Sequence, residues 1–394
     1  MVRFKNTFTK TNIIIIMLAL AFVFELLNTI VLYYSDLDKS RLSGCYKVLL
    51  QLMLLLTISF CKIPRKQIIL SLLILLFALI NQFVLNPIFT STWQKQILQG
   101  SIYFVDRFLF VFLLVFACNS WKEKDKIIKK VLIIIEVILI TNSVLIVLGA
   151  IFDIDLLKTY SNSLRFGWDG LFNRQNQVST LYILFISYLY YKLILKQVKF
   201  IYFFFIVISS LLIGTKVILL FLLLLFIFHF SFQSLKKNLY RKGFLLFAVF
   251  FCFFYKSIFK TYFSMFSFWK DLDSKYSLVS KIFSTRDLVL IQNYEYVKTN
   301  WNFVNYIIGG GWYTKEYRII EMDFFAPIII FGFLGAIIYL YLFVLNFFES
   351  RNKLKNGILL IILFCGFLSG SFFASVNAMI FLYFMSHYMK NKPI

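Results

Sequence analysis

The sequence predicts an all-α, polytopic integral membrane protein with about 12 transmembrane helices and a large extracytoplasmic loop late in the chain. Of its 394 residues, 61% are hydrophobic and 15% charged, and the mean hydropathy is +0.82. A soluble domain is instead about half apolar and a quarter charged. The apolar runs are continuous rather than alternating, which favours helices over a barrel. The whole chain, residues 1–394, is therefore expected to form a single polytopic membrane domain.

Twelve apolar runs are expected to cross the membrane. In chain order they cover residues 12–33, 48–61, 67–86, 102–118, 131–151, 175–191, 200–214, 217–233, 243–257, 326–347, 357–370 and 377–389. The first run has no small-residue cleavage site and is long enough to span a bilayer. We therefore expect it to be a helix of the protein rather than a cleaved signal peptide.

The distribution of Lys and Arg between these runs predicts an orientation. Both terminal segments and every second connection are short and basic, with Glu123, Asp125 and Glu349 as their acidic residues. By the positive-inside rule these segments lie in the cytoplasm, which places both termini there. Attraction to anionic lipid then accounts for most of the net charge of +23, and nucleic acid is not expected as a partner.

Two of the expected outer segments are long, residues 152–174 and residues 258–325. The second is rich in aromatic residues, which argues against disorder. Within it, "RDLVLIQNYEYVKTNW" begins at Arg286 and places apolar side chains near every third position, at Leu288, Ile291, Tyr294 and Val297. This spacing predicts an amphipathic helix that lies on the membrane surface.

Several classes of site are excluded by the motifs. The chain has no P-loop, dinucleotide fingerprint, HExxH or GxSxG sequence. Its two histidines, His229 and His387, are too few for a metal site, so neither a metal nor another cofactor is expected. The cysteines have no metal-ligand spacing and are interpreted as buried apolar residues. They are Cys45, Cys61, Cys118, Cys252 and Cys365.

Cations near the expected outer face are the most informative residues, because that face ordinarily has few of them. They are Arg107, Arg165, Arg174, Lys216, Arg286 and Arg318. One guanidinium group can donate to two phosphate oxygens at once, so several arginines around one cavity would suit a diphosphate. The alternatives are unrelated loop arginines, a structural ion pair for Arg107, and a Lys216 that reaches lipid phosphate.

Acidic residues within the expected helices have a different interpretation. Asp106 lies beside Arg107 about one turn inside its run, and the two need separate partners because adjacent helical residues do not face each other. Glu25 and Glu136 lie deeper. Each is predicted to join its own helix to a neighbouring helix through a polar contact.

Two outer stretches carry residues suited to binding and proton transfer. "SLRFGWDGLFNRQNQ" combines Arg165 with two glycines and an Asn-rich turn before a helix, and Asn176 could reach a ligand or cap that helix. "IIGGGWYTKEYRIIEMDFF" places Arg318, Glu321 and Asp323 against an apolar run. Either acid could be a general base or an ion-pair partner of Arg318.

These stretches resemble the O-antigen polymerase and O-antigen ligase superfamily, the Wzy and WaaL type, over residues 160–385. The family has an outer Arg-x-x-Gly segment that ends in an Asn-Pro-Asn-like turn. Here "RFGWDGLFNRQN" supplies Arg165 but lacks the proline. At the family's Ser-Arg helix start this chain has "GTK", with Lys216. At its Gly-Arg and Gly-x-Gly positions it has "STRDLVL", with Arg286, and "IIGGGW".

The resemblance implies a membrane glycosyltransferase that needs no metal or cofactor. Ligases of this type carry a histidine before the next span, whereas this chain has "EMDFF", which favours a polymerase. A polymerase would move a glycan from undecaprenyl diphosphate to a lipid-linked repeat unit at the outer face of a bacterial cytoplasmic membrane. The implied partners are that lipid-linked oligosaccharide, membrane lipid, a chain-length regulator and a flippase. The alternatives are an O-antigen ligase-type transferase and a lipid-linked oligosaccharide flippase.

The resemblance also assigns roles to the candidate residues. The catalytic residues would be Asp323, Glu321 and Arg286. The residues that bind the substrate diphosphate would be Arg165, Lys216, Arg318, Arg107 and Arg174.

Overall fold

The structure, a computed structural model, describes most of the chain. It covers residues 10–34, 42–58, 65–83, 92–159, 166–172, 175–233, 280, 285–310, 322–370 and 372–391. These residues form an all-helical protein, with one isolated antiparallel bridge between Lys158 and Trp168. The predicted fold class is therefore confirmed as all-α.

The helices are numbered here in chain order. They are α1 (Lys10–Tyr34), α2 (Leu42–Ile58), α3 (Arg65–Phe83), α4 (Thr92–Asn119), α5 (Lys124–Phe152), a 3-10 helix (Asp155–Leu157), α6 (Gln175–Ile194), α7 (Phe200–Leu211), α8 (Lys216–Gln233), α9 (Arg286–Asn300), α10 (Phe303–Ile308), α11 (Phe325–Phe347), α12 (Lys353–Ser369) and α13 (Val376–Lys390). Each predicted run overlaps one of these helices except 243–257, which lies outside the described residues.

Three of the described helices are long and apolar enough to cross a membrane: Thr11–Tyr34, Lys124–Phe152 and Phe325–Phe347. Three shorter helices, Leu42–Ile58, Phe200–Leu211 and Lys216–Ser231, are also apolar. Such helices are those of a membrane protein. They do not establish twelve spans, which stays a prediction.

Helices α6 and α13 form the centre of the bundle. Nearly every side chain of α6 from Gln177 to Tyr191 is buried, and so is nearly every side chain of α13. Helix α13 packs against α4, α5, α6, α11 and α12. A helix that is apolar on all sides needs neighbours on all sides, which explains the central position of both.

The exterior of the bundle is apolar. Helix α2 exposes Val48, Leu52 and Leu56, and α7 exposes Phe200 and Ile201. Side chains of this kind on several helices form a surface suited to lipid rather than water.

Cys45 lies on this surface of α2, so the prediction that all five cysteines are buried is wrong for this residue. Apolar side chains in a membrane protein can face lipid as well as the core. Cys118 and Cys365 are buried as predicted, whereas Cys61 and Cys252 lie outside the described residues.

The prediction that Glu25 and Glu136 pair helices is confirmed. Glu25 on α1 accepts from the Lys47 ammonium of α2 at 2.5 Å, and both side chains are buried. Glu136 on α5 accepts from Lys192 of α6 at 2.9 Å and from the Tyr202 hydroxyl of α7 at 3.3 Å. The two carboxylates therefore join neighbouring helices, Glu25 at a buried position and Glu136 at a half-buried one.

Replacing Lys47 with methionine is expected to destabilise the protein by about 3–5 kcal/mol, because Glu25 would lose its buried counter-charge. The double variant Glu25→Gln/Lys47→Met should recover most of that loss. Thermal unfolding in detergent measures both effects. The matched control is Lys126→Met, which breaks an exposed pair with Glu123 and should cost under about 1 kcal/mol. Equal losses in the buried and exposed pairs would contradict this prediction.

Helix α11 is broken at Gly332, whose φ of 72° and ψ of 178° are not helical. Phe324 and Phe343 both contact the Phe373 ring, at centroid distances of 6.0 and 5.3 Å. A straight helix would separate these two residues by about 28 Å, so the segment 325–331 must turn back towards the bundle. The end of α10 occupies the break, because a Cβ on residue 332 would lie 2.2 Å from the carbonyl oxygen of Ile307.

The helices differ greatly in length. Helices α4 and α5 have 28 and 29 residues, or about 42 Å, whereas α7 and α13 have 12 and 15 residues, or about 18 and 22 Å. Four short segments contact one another or the charged residues described below. They are turn 372–375, turn 212–215, the first turn of α6 and loop 166–172, and together we call them the recess.

Candidate functional site

Arg286 joins three helices at the recess. It is the first residue of α9, and its Nη1 donates to the carbonyl oxygen of Leu368 at the end of α12, at 2.6 Å. Its Nη2 donates to Asn176 Oδ1 in the first turn of α6, at 3.4 Å. Arg286 and Asn176 were both singled out in the sequence, and the fold brings them into contact. The Arg286 side chain is half-buried, so part of it is accessible.

Asp323 anchors turn 372–375. The turn of chain before α11 brings its carboxylate to the turn, where Oδ2 accepts from the backbone N–H of Phe372 and, at 3.0 Å, from that of Phe373. The side chain is buried beside an aromatic cluster that includes Tyr339. An oxygen that accepts from two N–H groups is an unprotonated acceptor. This geometry suits a carboxylate that holds the backbone of the turn.

Arg107 reaches the same turn from α4. Its Nη1 donates to the carbonyl oxygen of Ala374 at 3.5 Å, and the residue is buried. Since α4 begins at Thr92, Arg107 lies near the middle of the helix rather than about one turn inside it, as predicted. Its neighbour Asp106 faces α2 and accepts from Gln51 at 3.0 Å, so the two adjacent residues do have separate partners.

Lys216 is the first residue of α8 and follows the turn 212–215 directly. The turn is fastened to α6 by a hydrogen bond of 2.9 Å between the hydroxyls of Ser179 and Thr215. Gly214 has a φ of +73°, and a Cβ there would lie 2.4 Å from the carbonyl oxygen of Phe166. Only glycine therefore permits this close packing of the turn on loop 166–172.

Helix N-termini add to the positive potential of the recess. Helices α6 and α8 both begin here, and neither has an acidic residue in its first turn. Helix α9 begins at Arg286 and carries one acid there, Asp287, which accepts from Ser280. Unpaired N–H groups and the helix dipole favour anions at such termini. Together with Arg286 and Lys216, they make the recess suited to a phosphate-bearing ligand.

Loop 166–172 is fixed by contacts on two sides. The Asn142 side chain of α5 donates to the carbonyl oxygen of Asp169 at 3.1 Å and accepts from the N–H of Leu171 at 2.9 Å. On the other side, Trp168 N–H donates to Leu212 of the α7–α8 turn at 3.0 Å. Asn142 lies about three turns before the end of α5, so the loop descends well below that end.

Asp169 is a buried carboxyl that the sequence interpretation passed over. The residue is 4% exposed, and burial raises the pKa of its carboxyl to about 8. The signal available in the sequence was weak, because an Asp-Gly pair after an aromatic residue reads as an ordinary turn. Only the packing of the loop shows that this carboxyl is enclosed.

Glu321, Arg165, Arg174 and Arg318 lie outside the described residues. Their assignment to catalysis or to diphosphate binding stays a prediction. Among the predicted residues that the structure does describe, Arg107, Arg286 and Asp323 contact the same stretch, residues 368–374. Lys216 lies at the next turn of the recess.

A metal centre is not formed by the described part of the chain, which contains no group of three or more His, Cys, Asp or Glu side chains that could hold an ion. The positive charge of the recess comes instead from side chains such as Arg286 and Lys216. Comparison with protein-family models, with curated proteins and with solved structures finds no match for this chain.

Proposed function

We propose that the chain is a polysaccharide repeat-unit polymerase. It would transfer a growing glycan from undecaprenyl diphosphate to a hydroxyl of a lipid-linked repeat unit. The observation that carries this proposal is the position of Arg286, which joins the first turn of α6 to the end of α12 within an apolar bundle. Charge at such a position is costly and marks functional sites in membrane proteins.

The chemistry of the leaving group supports this choice of reaction. When the glycosyl bond breaks, the diphosphate leaves with the bonding electron pair and gains negative charge. Preorganised cations and helix N-termini stabilise such charge in a site that excludes water. Arg286, Lys216 and the N-termini of α6 and α8 supply both kinds of group, so the transfer is proposed to proceed without a metal. Arg107, Arg165, Arg174 and Arg318 are proposed to contribute further.

The proposed membrane arrangement has twelve spans with both termini in the cytoplasm of a bacterium. The recess then faces outwards, with residues 152–174 and 258–325 as its long outer segments. Helix α9 belongs to the second segment and exposes Leu288, Ile291 and Tyr294 along one face. This exposed apolar face supports the proposal that the helix lies on the membrane, where lipid-linked substrates arrive.

The acceptor hydroxyl must lose its proton during the transfer. Asp323 and Glu321 are the candidates for the base that follow from the sequence, with Arg286 as the catalytic cation. The proposed partners outside the reaction are a chain-length regulator and a flippase. The flippase would act before the transfer, because it would deliver repeat units to the outer leaflet. The chain-length regulator would act after it, because it would limit chain growth.

Deletion of the gene tests the proposal. We expect single lipid-linked repeat units on the outer leaflet and no long polymer, and we expect the wild-type gene to restore long polymer. Labelled lipid extracts resolved by chain length make the measurement. Long chains that persist without attachment to their acceptor would instead indicate a ligase. Repeat units trapped on the inner leaflet would indicate a flippase.

A further inference from the structure

Asp169 is unusual among the acids of the recess, because its carboxyl has no recorded side-chain partner within the described residues. It is almost fully enclosed in loop 166–172. Its own backbone amide favours the charged form but does not offset burial, so its pKa is raised to about 8. Buried carboxyls without counter-charges are costly and cluster at functional sites.

The ionisable groups on the neighbouring elements do not account for the raised pKa of the Asp169 carboxyl. They are Tyr182 on α6, Lys158 after the 3-10 helix and Lys216 at the start of α8. Tyr182 hydrogen-bonds Ser143 and Asn142, and Lys158 pairs with Asp153 and Asp155. None of the three contributes to the pKa shift of Asp169, whose cause is burial.

The position of Asp169 connects it to the proposed diphosphate site. The residue before it, Trp168, bonds Leu212 at the start of the turn that leads to Lys216. The chain after it leads into α6, where Asn176 contacts Arg286. The carboxyl is therefore carried on a loop that is bonded to the turn before Lys216 and that precedes in sequence the helix that contacts Arg286.

Asp323 is less suited to accept a proton. Its Oδ2 already accepts from two backbone N–H groups. Protonation of that oxygen would cost these hydrogen bonds.

We propose that Asp169 accepts the proton of the acceptor hydroxyl, an inference that rests on the proposed polymerase function. The ionised carboxylate takes the hydroxyl proton while the hydroxyl oxygen forms a bond to the anomeric carbon. The bond from that carbon to the diphosphate oxygen breaks, and its electron pair leaves with the diphosphate. Asp169 ends as a neutral acid and returns the proton to water after release.

The test uses full-length protein in proteoliposomes, with lipid-linked repeat units isolated from the deletion strain as substrate. Asp169→Asn resembles the neutral acid that predominates near pH 7, so it preserves a purely structural role but cannot accept a proton. We expect it to remain folded and to lose at least about 100-fold in transfer rate. The control is Asp155→Asn, an exposed acid of the same segment, which should transfer as wild type.

The pH profile provides a second measurement that does not depend on the variant folding. The wild-type rate should rise by up to about tenfold per pH unit below pH 8 and level off above it, because only the ionised carboxylate is a base. Asp169→Glu should retain part of the rate and the same form of profile. A flat wild-type profile between pH 6 and 8, or full activity in Asp169→Asn, would overturn the assignment.

These outcomes separate the two proposals. If wild type and Asp169→Asn both extend the repeat units, only the role of Asp169 is rejected. If the wild type makes no polymer from them, the polymerase function fails and the role of Asp169 fails with it.

Discussion

Arg286→Ala is expected to reduce the rate of chain growth by about 100-fold to 1,000-fold, the usual loss when one preorganised group that stabilises a developing anion is removed. Arg286 is the cation that touches both α6 and α12, so the diphosphate would lose its best-placed partner. Arg286→Lys keeps the charge but not the planar fork, and should be intermediate. Polymer length in cells and the transfer rate in proteoliposomes measure the effect.

The control for this prediction is Lys298→Ala, which removes an exposed cation from the last turn of the same helix. It should leave polymer length unchanged. Because Arg286 also bonds the Leu368 carbonyl oxygen, thermal unfolding must show that Arg286→Ala still folds. Affinity for undecaprenyl diphosphate, added as a product inhibitor, should fall in parallel with the rate. Normal polymer length in a stable Arg286→Ala protein would remove this residue from the site.

Asp323→Ala is expected to abolish chain growth and to lower the thermal stability of the protein. Two buried N–H groups, those of Phe372 and Phe373, would lose their acceptor, at about 1–3 kcal/mol each. Asp323→Asn retains a carbonyl oxygen that can accept from them. We therefore expect it to keep most of the stability and a substantial part of the activity, because its role is to position turn 372–375.

The pair of Asp323 variants distinguishes a positioning residue from a base. A stable Asp323→Asn protein that is as inactive as Asp323→Ala would restore the sequence-based assignment of Asp323 as the base. Normal polymer in Asp323→Ala would exclude both roles. Glu123→Ala, which alters a half-exposed acid just before α5, is the control for an acidic residue outside the recess.

The positions of the helices follow closely from the sequence, because a continuous apolar run has few alternatives to a helix. Their ends do not. Polar residues before Ile102 join α4 as additional turns, which moves Arg107 from the predicted end of the helix to its middle. The apolar run 326–347 contains one glycine whose conformation breaks the helix, and no count of apolar residues separates Gly332 from the helical Gly335 beside it. The close approach of α10 is what requires that break.

Residue chemistry and charge were sufficient to predict an all-α membrane protein and to single out Arg107, Lys216, Arg286 and Asp323, since cations and acids are costly beside lipid and stand out in an apolar chain. Tertiary structure alone decided what these groups contact. It brought Arg286 to Asn176 across more than a hundred residues, set Asp323 on the backbone N–H groups of Phe372 and Phe373, and buried Asp169. Burial and hydrogen bonding depend on neighbours from distant parts of the chain, and these are the quantities that determine whether a carboxyl holds the backbone or accepts a proton.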